Sequence, residues 1–168
     1  MVILGIDPGY ERVGYAVIDY TANKFRPITI GTVTTPAHTE FSGRLNSIYE
    51  DLVSIIDTFK PEEFAIEELF YFKNQKTVID VAQARGVILL AAKRAGLPIY
   101  EYTPLQVKNS IVGYGRAEKS QIQEMTRKLL RIDKVIRPDD AADAAAIAIT
   151  HAYTVNSRKI GAMAANNI

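Results

Sequence analysis

Four acidic side chains stand at places in the sequence where chemistry could be built. Asp7 and Glu67 each follow a short apolar run, and Asp140 and Asp143 lie three residues apart in an alanine-rich segment, on one face if it is helical. If the four carboxylates converge, their mutual repulsion requires hard cations, and oxygen ligands suit Mg²⁺ or Mn²⁺. Two such ions would activate a water and stabilise the leaving oxygen in phosphodiester hydrolysis.

Each acid also has a structural explanation. Asp7 precedes Pro8-Gly9, which is typical of a turn. Aspartates at the start of a helix complement its dipole, which is a sufficient reason for at least two of those near position 140. Glu67 is harder to explain in this way, because a carboxylate that closes an apolar strand is an unusual core residue. Strand alternation does not decide whether Glu67 or its neighbour Glu68 points inward.

The composition excludes several classes of protein. The 168 residues include no cysteine, so disulfides, thiolate nucleophiles, cysteine-bound zinc and iron–sulfur clusters are ruled out. The length predicts one domain with a sizeable core. The apolar runs at 87–92 and 144–149 are far shorter than the ~20 residues that span a bilayer, and the first residues show no export signal. We therefore expect a cytoplasmic protein.

The charges are nearly balanced overall but unevenly distributed. The chain has 20 basic and 19 acidic residues. Residues 40–68 carry eight acidic and two basic side chains, whereas residues 108–137 carry eight basic and three acidic ones, and residues 71–95 are also basic. This segregation would allow one surface to bind a polyanion, although charge alone favours a pair of solvated helix faces.

The periodicity predicts the element order βββαβαβααα, an α/β fold in which helices flank one five-stranded mixed sheet. Thr103-Pro104 followed by Gln106 is a helix start signal. Small alanine side chains would let the last helix approach the sheet closely, so that its acids reach the strand ends. We predict one domain over 1–155 and a flexible tail over 156–168. Of the two histidines, His38 is assigned to a loop and His151 to a helix end.

Several segments, in order, resemble the RuvC family of bacterial Holliday-junction resolvases. Any one of them is a weak signal, and the ordered set is a strong one. The segments are Leu4-Gly5-Ile6-Asp7-Pro8-Gly9, Phe64-Ala65-Ile66-Glu67, Lys73-Asn74, Gln83-Ala84-Arg85-Gly86, Gln106-Val107-Lys108, Ala117-Glu118-Lys119-Ser120-Gln121 and Asp140-Ala141-Ala142-Asp143-Ala144, the last continuing to Ile149-Thr150-His151.

The resemblance implies a ribonuclease H-like fold and a homodimer that nicks two strands of like polarity across a four-way DNA junction, leaving 5′-phosphate and 3′-hydroxyl ends. It places the catalytic, metal-binding acids at Asp7, Glu67, Asp140 and Asp143, with two Mg²⁺ per site and Mn²⁺ as a substitute. Glu68 and Asp139 are extra acids beyond the motif. The family also implies the branch-migration proteins RuvA and RuvB as partners.

The resemblance further implies DNA contacts from Lys108 and Lys119, and base stacking by Phe70. Three successive aromatics at 70–72 would often mean a core strand, but the nearby Lys73 and Lys76 suit a loop that stacks on splayed bases. Arg85 completes the predicted DNA-binding set.

Three other functions remain open from the sequence. The first is a ribonuclease H-like nuclease that acts on RNA–DNA hybrids or branched RNA. The second is an actin-like ATPase, since Asp7-Pro8-Gly9 resembles its phosphate loop, but this chain has the length of only one lobe. The third is a catalytically silent junction binder, which would gain nothing from carboxylates near phosphate.

Overall fold

The structure, a computed structural model, describes the backbone of residues 1–69 and 75–165, together with their side chains except at 75–77 and 158–165. The described elements follow the predicted order, βββαβαβααα. They are β1 (Val2–Asp7), β2 (Arg12–Thr21), β3 (Lys24–Thr34), α1 (Phe41–Phe59), β4 (Glu63–Glu67), α2 (Gln75–Arg94), β5 (Ile99–Tyr102), α3 (Pro104–Val112), α4 (Lys119–Leu129) and α5 (Asp139–Ala165).

The strands form one sheet in the order β3-β2-β1-β4-β5. β2 is antiparallel to both β1 and β3, whereas β4 runs parallel to β1 and β5 runs parallel to β4. The prediction of a five-stranded mixed sheet flanked by helices is therefore confirmed. Because β1, β4 and β5 are parallel, their carboxyl ends meet at one edge of the sheet, beside the start of β2.

Alternating residues of the strands divide the core between the two faces of the sheet. Leu4 of β1 and Phe64 of β4 are fully buried on the face covered by α1 and α2. Ile3 and Ala65 are fully buried on the opposite face, where α5 packs with α3 and α4. This alternation is the expected period of a strand that is covered on both sides. No described helix is both long enough and apolar enough to span a bilayer.

Helix α5 lies unusually close to β1 and β2 because glycines face it. A Cβ atom at Gly5 would lie 2.4 Å from the carbonyl oxygen of Ala144, and one at Gly14 would lie 2.0 Å from that of Asp140. Either methyl group would force the helix away from the sheet. The predicted close approach is thus confirmed, but it depends on strand glycines as well as on helix alanines such as Ala148.

The prediction that His151 ends a helix is wrong. α5 continues through Ala165, so it also includes residues 156–165, which the sequence analysis assigned to a tail. His151 is fully buried. Its Nδ1 lies 2.7 Å from the Tyr102 hydroxyl, and its Nε2 bonds to the Glu63 carboxylate. These partners belong to β5 and β4, which lie far away in the sequence, so no local pattern around His151 could reveal them.

Candidate active site

Adjacent parallel strands place Asp7 and Glu67 at the same edge of the sheet. Ile6 of β1 pairs with Ile66 of β4, and each acid follows its isoleucine as the last residue of the strand. Both acids are half-buried. The turn between β1 and β2 begins directly after Asp7, so the chain leaves the sheet at that point and the edge stays open.

Helix α5 brings the other two acids to this edge. Asp7 of β1 pairs with Gly14 of β2. The backbone of Asp140 packs directly against Gly14. Asp143 lies one turn further along the same helix. The first turn of α5 therefore sits directly over the end of β1, which brings together the four acids that the sequence singled out.

The electrostatics of the acids reflect this convergence. Burial is the main cause that raises the pKa of Asp7 to about 8, and the nearby carboxylates of Glu67, Asp143 and Asp140 add to it. Burial, followed by repulsion from Asp143, raises the pKa of Glu67 to about 7. Burial also raises the pKa of Asp143. The site thus holds carboxyl groups that resist ionisation until a cation compensates them.

Two cationic side chains pair with the acids of α5. Lys119, at the start of α4, places its Nζ 2.8 Å from Oδ2 of Asp143 and 3.6 Å from Oδ2 of Asp139. Arg12, at the start of β2, places its Nη1 3.2 Å from Oδ2 of Asp140. The charge of Lys119 also lowers the pKa values of Asp7 and Glu67.

The donor set fits a hard divalent cation. In the described part of the chain, no three carboxylate or imidazole side chains already surround a metal-sized point. The acids of α5 instead face Lys119 and Arg12. The raised pKa values of Asp7 and Glu67 nevertheless show an excess of buried carboxylate, and oxygen-only ligands are those that Mg²⁺ and Mn²⁺ prefer.

A cleft of about 230 Å³ opens beside the acids. Glu67 and Asp143 line it together with the two lysines predicted to bind DNA, Lys108 and Lys119. Lys108 is positioned by α3, which begins with the predicted cap. Thr103 Oγ1 accepts a hydrogen bond from the Gln106 amide at 3.1 Å, and Gln106 Oε1 accepts one from the Thr103 amide at 2.8 Å. The cleft therefore joins acids and bases at one place.

The other predicted DNA contacts are distributed differently. Arg85 of α2 donates from Nε to the carbonyl oxygen of Glu67 at 3.3 Å and pairs with the Glu101 carboxylate, so it supports the backbone of a site residue. Phe70 and Lys73 lie outside the described residues, as does the side chain of Lys76.

The two acids beyond the motif also have defined partners. The amide of Glu68 donates to the Tyr102 carbonyl at 2.8 Å, which continues the pairing of β4 with β5. Asp139 accepts a hydrogen bond from Arg137 at 2.9 Å. The nearby side chain of Gln123, together with the charges of Lys119 and Arg137, lowers the pKa of Asp139. Asp139 is therefore an ordinary ionised acid at the rim of the site.

Arg12 was not among the predicted site residues, although it pairs with Asp140. A signal was present, because β2 returns antiparallel to β1 and so brings the first residue of β2 back toward Asp7. Arg44 of α1 was not predicted either. Its position depends on how α1 crosses the end of β3, which the local sequence does not reveal.

The chain is similar to characterised proteins over nearly its whole length. The family model "Crossover junction endodeoxyribonuclease RuvC" matches residues 3–151. A relative from Caldanaerobacter subterraneus with that name is 52% identical over 156 residues, which cover 93% of this chain and 94% of the relative. A relative from Clostridioides difficile with the same name is 53% identical over 154 residues, or 92% of this chain and 91% of the relative.

The chain is also similar to solved structures of RuvC. RuvC of Thermus thermophilus superposes with a TM-score of 0.86 at 35% identity, covering 94% of this chain and 96% of the other. The same protein in complex with a Holliday junction substrate gives 0.86 at 32% identity with the same coverage. The ribonuclease H-like fold is therefore confirmed, and the chain belongs to the RuvC family of crossover junction endodeoxyribonucleases.

Proposed function

We propose that this protein is an endonuclease that resolves four-way DNA junctions by paired symmetric nicks, leaving 5′-phosphate and 3′-hydroxyl ends. One observation carries the proposal. Carboxyl groups from β1, β4 and α5 meet at one open edge of the sheet, and burial together with mutual repulsion raises the pKa values of Asp7 and Glu67. Relatives that share about half of the sequence bear the name of this activity.

The catalytic acids in this proposal are Asp7, Glu67, Asp140 and Asp143, which would together hold two Mg²⁺ ions, with Mn²⁺ as a substitute. The bound ions would supply an activated water and stabilise charge on the departing 3′-oxygen. Asp7 is central because its carboxyl group interacts electrostatically with each of the other three. Arg12 and Lys119 balance the charge of Asp140 and Asp143 in the free protein.

The basic side chains of the cleft would bind the DNA backbone. Lys119 lies close enough to Asp143 to hold that carboxylate in place, and it would also offset charge on the scissile phosphate. Lys108 lines the same cleft. We extend the proposal to the segment that follows Glu67, in which Phe70 would stack on an unpaired base and Lys73 and Lys76 would contact phosphates. Arg85 would act mainly by fixing the Glu67 backbone.

Junction specificity would come from shape. A single domain over 1–155 with one set of the four acids can cut one strand, so a homodimer with two sets would be needed to cut two strands symmetrically. We also propose RuvA and RuvB as partners and the cytoplasm as the location, since both are expected of a member of this family.

Cleavage assays on four substrates test the proposal. The purified chain is incubated in Mg²⁺ with a synthetic four-way junction, a linear duplex of the same sequence, an RNA–DNA hybrid and a branched RNA, with Asp7→Asn protein as the control. We expect paired nicks in the junction only, and none from the variant. Preferential cleavage of the hybrid or of the branched RNA would assign a different nuclease activity, and junction binding without cleavage by the wild type would leave a binding module.

A further inference from the structure

A second and larger cavity lies on the other side of the acids. Its volume is about 550 Å³, within the range of about 300–1,000 Å³ that is typical of ligand sites. Its walls are residues 9–12 between β1 and the start of β2, residues 34–37 at the end of β3, Arg44 of α1, Val81 of α2 and, at the rim, Asp140. The cavity therefore reaches the group of four acids at Asp140, whereas the cleft of Lys108 and Lys119 reaches that group at Glu67 and Asp143.

The wall of this cavity holds a buried guanidinium group in a fixed position. Arg44 is only 7% exposed. Its Nε donates to Thr35 Oγ1 at 2.8 Å, and Thr35 Oγ1 donates in turn to the carbonyl oxygen of Tyr10 at 2.7 Å. The guanidinium carbon lies 4.9 Å from the centre of the Tyr10 ring. These contacts orient the guanidinium group, because Thr35 holds its Nε and the Tyr10 ring lies against one of its faces.

The charge of Arg44 has no counter-ion within the described part of the chain. Its Nη2 is buried without a hydrogen-bond partner, and no described carboxylate forms a salt bridge with it. Its place in the first turn of α1 gives no compensation, because the N-terminus of a helix is the positive end of the dipole. A buried charge without a partner is expensive to maintain, so this arrangement indicates an anion that binds from outside the chain.

The other charged groups at the cavity do not supply that anion. Asp140 is paired with Arg12 at 3.2 Å. Glu11 lies in an exposed turn, and Arg12 adds a second guanidinium to the same wall. A guanidinium group binds phosphate oxygens with more defined geometry than an ammonium group does, and Arg44 lines this cavity with a donor nitrogen that has no partner.

We propose that this cavity is a phosphate subsite, in which Arg44 binds a backbone phosphate of the DNA strand next to the phosphate that is cleaved. The inference rests on the proposed function, since it assumes that the scissile phosphate lies at Asp7 and its three neighbours. The strand would then run from the cleft of Lys108 and Lys119, across the acids, into the cavity of Arg44. The subsite would set which phosphate reaches the acids.

A methylphosphonate scan tests this assignment. Four-way junctions are prepared in which one phosphate at a time near the cut is replaced by an uncharged methylphosphonate, and binding is measured by fluorescence anisotropy in EDTA. We expect one position next to the cut at which the wild type loses about tenfold in affinity, as for a hydrogen bond to a charged group, and Arg44→Met loses nothing further. Arg26→Met is the matched control, because Arg26 pairs with Asp19 at the opposite end of the sheet. It should behave as the wild type does.

Three results would overturn the assignment. The first is equal losses for the wild type and Arg44→Met at every position. The second is stabilisation of the wild type by inorganic phosphate in thermal melts without coupling in the scan, which would mean a free ion. The third is failure of the wild type to bind the junction at all, which would overturn the proposed function as well. If Arg44→Met does not fold, Thr35→Val, which releases Nε of Arg44, should weaken the coupling at the same position, and unchanged coupling would contradict the assignment.

Discussion

Asp7→Asn is expected to abolish DNA cleavage and, when divalent cations are absent, to make the protein more stable. Burial and the neighbouring carboxylates raise the pKa of Asp7 from its usual 3.8 to about 8. Near neutral pH the folded wild type must therefore bind a proton that the unfolded chain does not hold, or else keep a carboxylate ionised beside three others. An asparagine at this position neither binds a proton on folding nor places a negative charge beside the other three acids.

The size of the effect follows from the two pKa values. A difference of one unit corresponds to 1.36 kcal/mol, so ionisable Asp7 would lower the free energy of unfolding by about 4 kcal/mol at pH 7 and by about 6 kcal/mol at pH 9. Asp7 destabilises the folded state above its ordinary pKa, because its pKa is higher in the folded state than in the unfolded state. The cost of Asp7 to stability is absent well below pH 3.8, where the carboxyl group is protonated in both the folded and the unfolded state, and it grows as the pH rises towards 8.

Urea denaturation followed by circular dichroism between pH 4 and pH 9 in EDTA measures this difference. The Asp7→Asn protein should match the wild type at pH 4 and exceed it increasingly above that pH. Adding Mg²⁺ should stabilise the wild type more than the variant, by mass action. Asp19→Asn is the matched control, because a hydrogen bond from Thr21 lowers the pKa of Asp19. That variant should be less stable than the wild type at neutral pH, and its deficit should disappear as the pH falls.

A constant difference between Asp7→Asn and the wild type from pH 4 to pH 9 would refute the reasoning, because it would mean that the Asp7 carboxyl titrates alike in both states. A variant that is less stable than the wild type at pH 9 in EDTA would refute it more directly. The carboxyl group would then be stabilising the fold, and the proposed crowding of acids would be wrong.

Other changes probe the elements that support the site. Lys119→Met should slow single-turnover cleavage by about 100-fold and move the rising limb of the pH–rate profile to higher pH, because Lys119 lowers the pKa values of the acids; an unshifted profile would argue against this role. Gly14→Ala should destabilise the fold by about 1–3 kcal/mol and reduce cleavage, because its Cβ would lie 2.0 Å from a backbone oxygen of α5. Gly86→Ala in α2 meets no atom within 4 Å, and thermal melts should show it to be neutral or stabilised by up to about 1 kcal/mol. His151→Ala should cost about 2–5 kcal/mol in chemical denaturation, because it leaves the Tyr102 hydroxyl without its 2.7 Å contact; a cost below about 1 kcal/mol would contradict the structural role of this histidine.

The sequence by itself determined the elements and their order. Strand and helix periods, the Pro8-Gly9 turn and the cap at Thr103 are local signals, and the structure contains each element that they predict. The resemblance carried by ordered motifs added the family and the identity of the four acids. These features are readable because each depends on residues that are neighbours in the chain.

The tertiary structure decided which side chains meet. Strand order places Asp7 beside Glu67, and the approach of α5 to Gly14 brings Asp140 over them. The pairing of Arg12 with Asp140, the buried bonds of His151 and the unpartnered Arg44 are likewise contacts between elements that are remote in the sequence. A local pattern reports which face of an element is apolar, whereas burial and the raised pKa values at the site arise only when separate elements pack together.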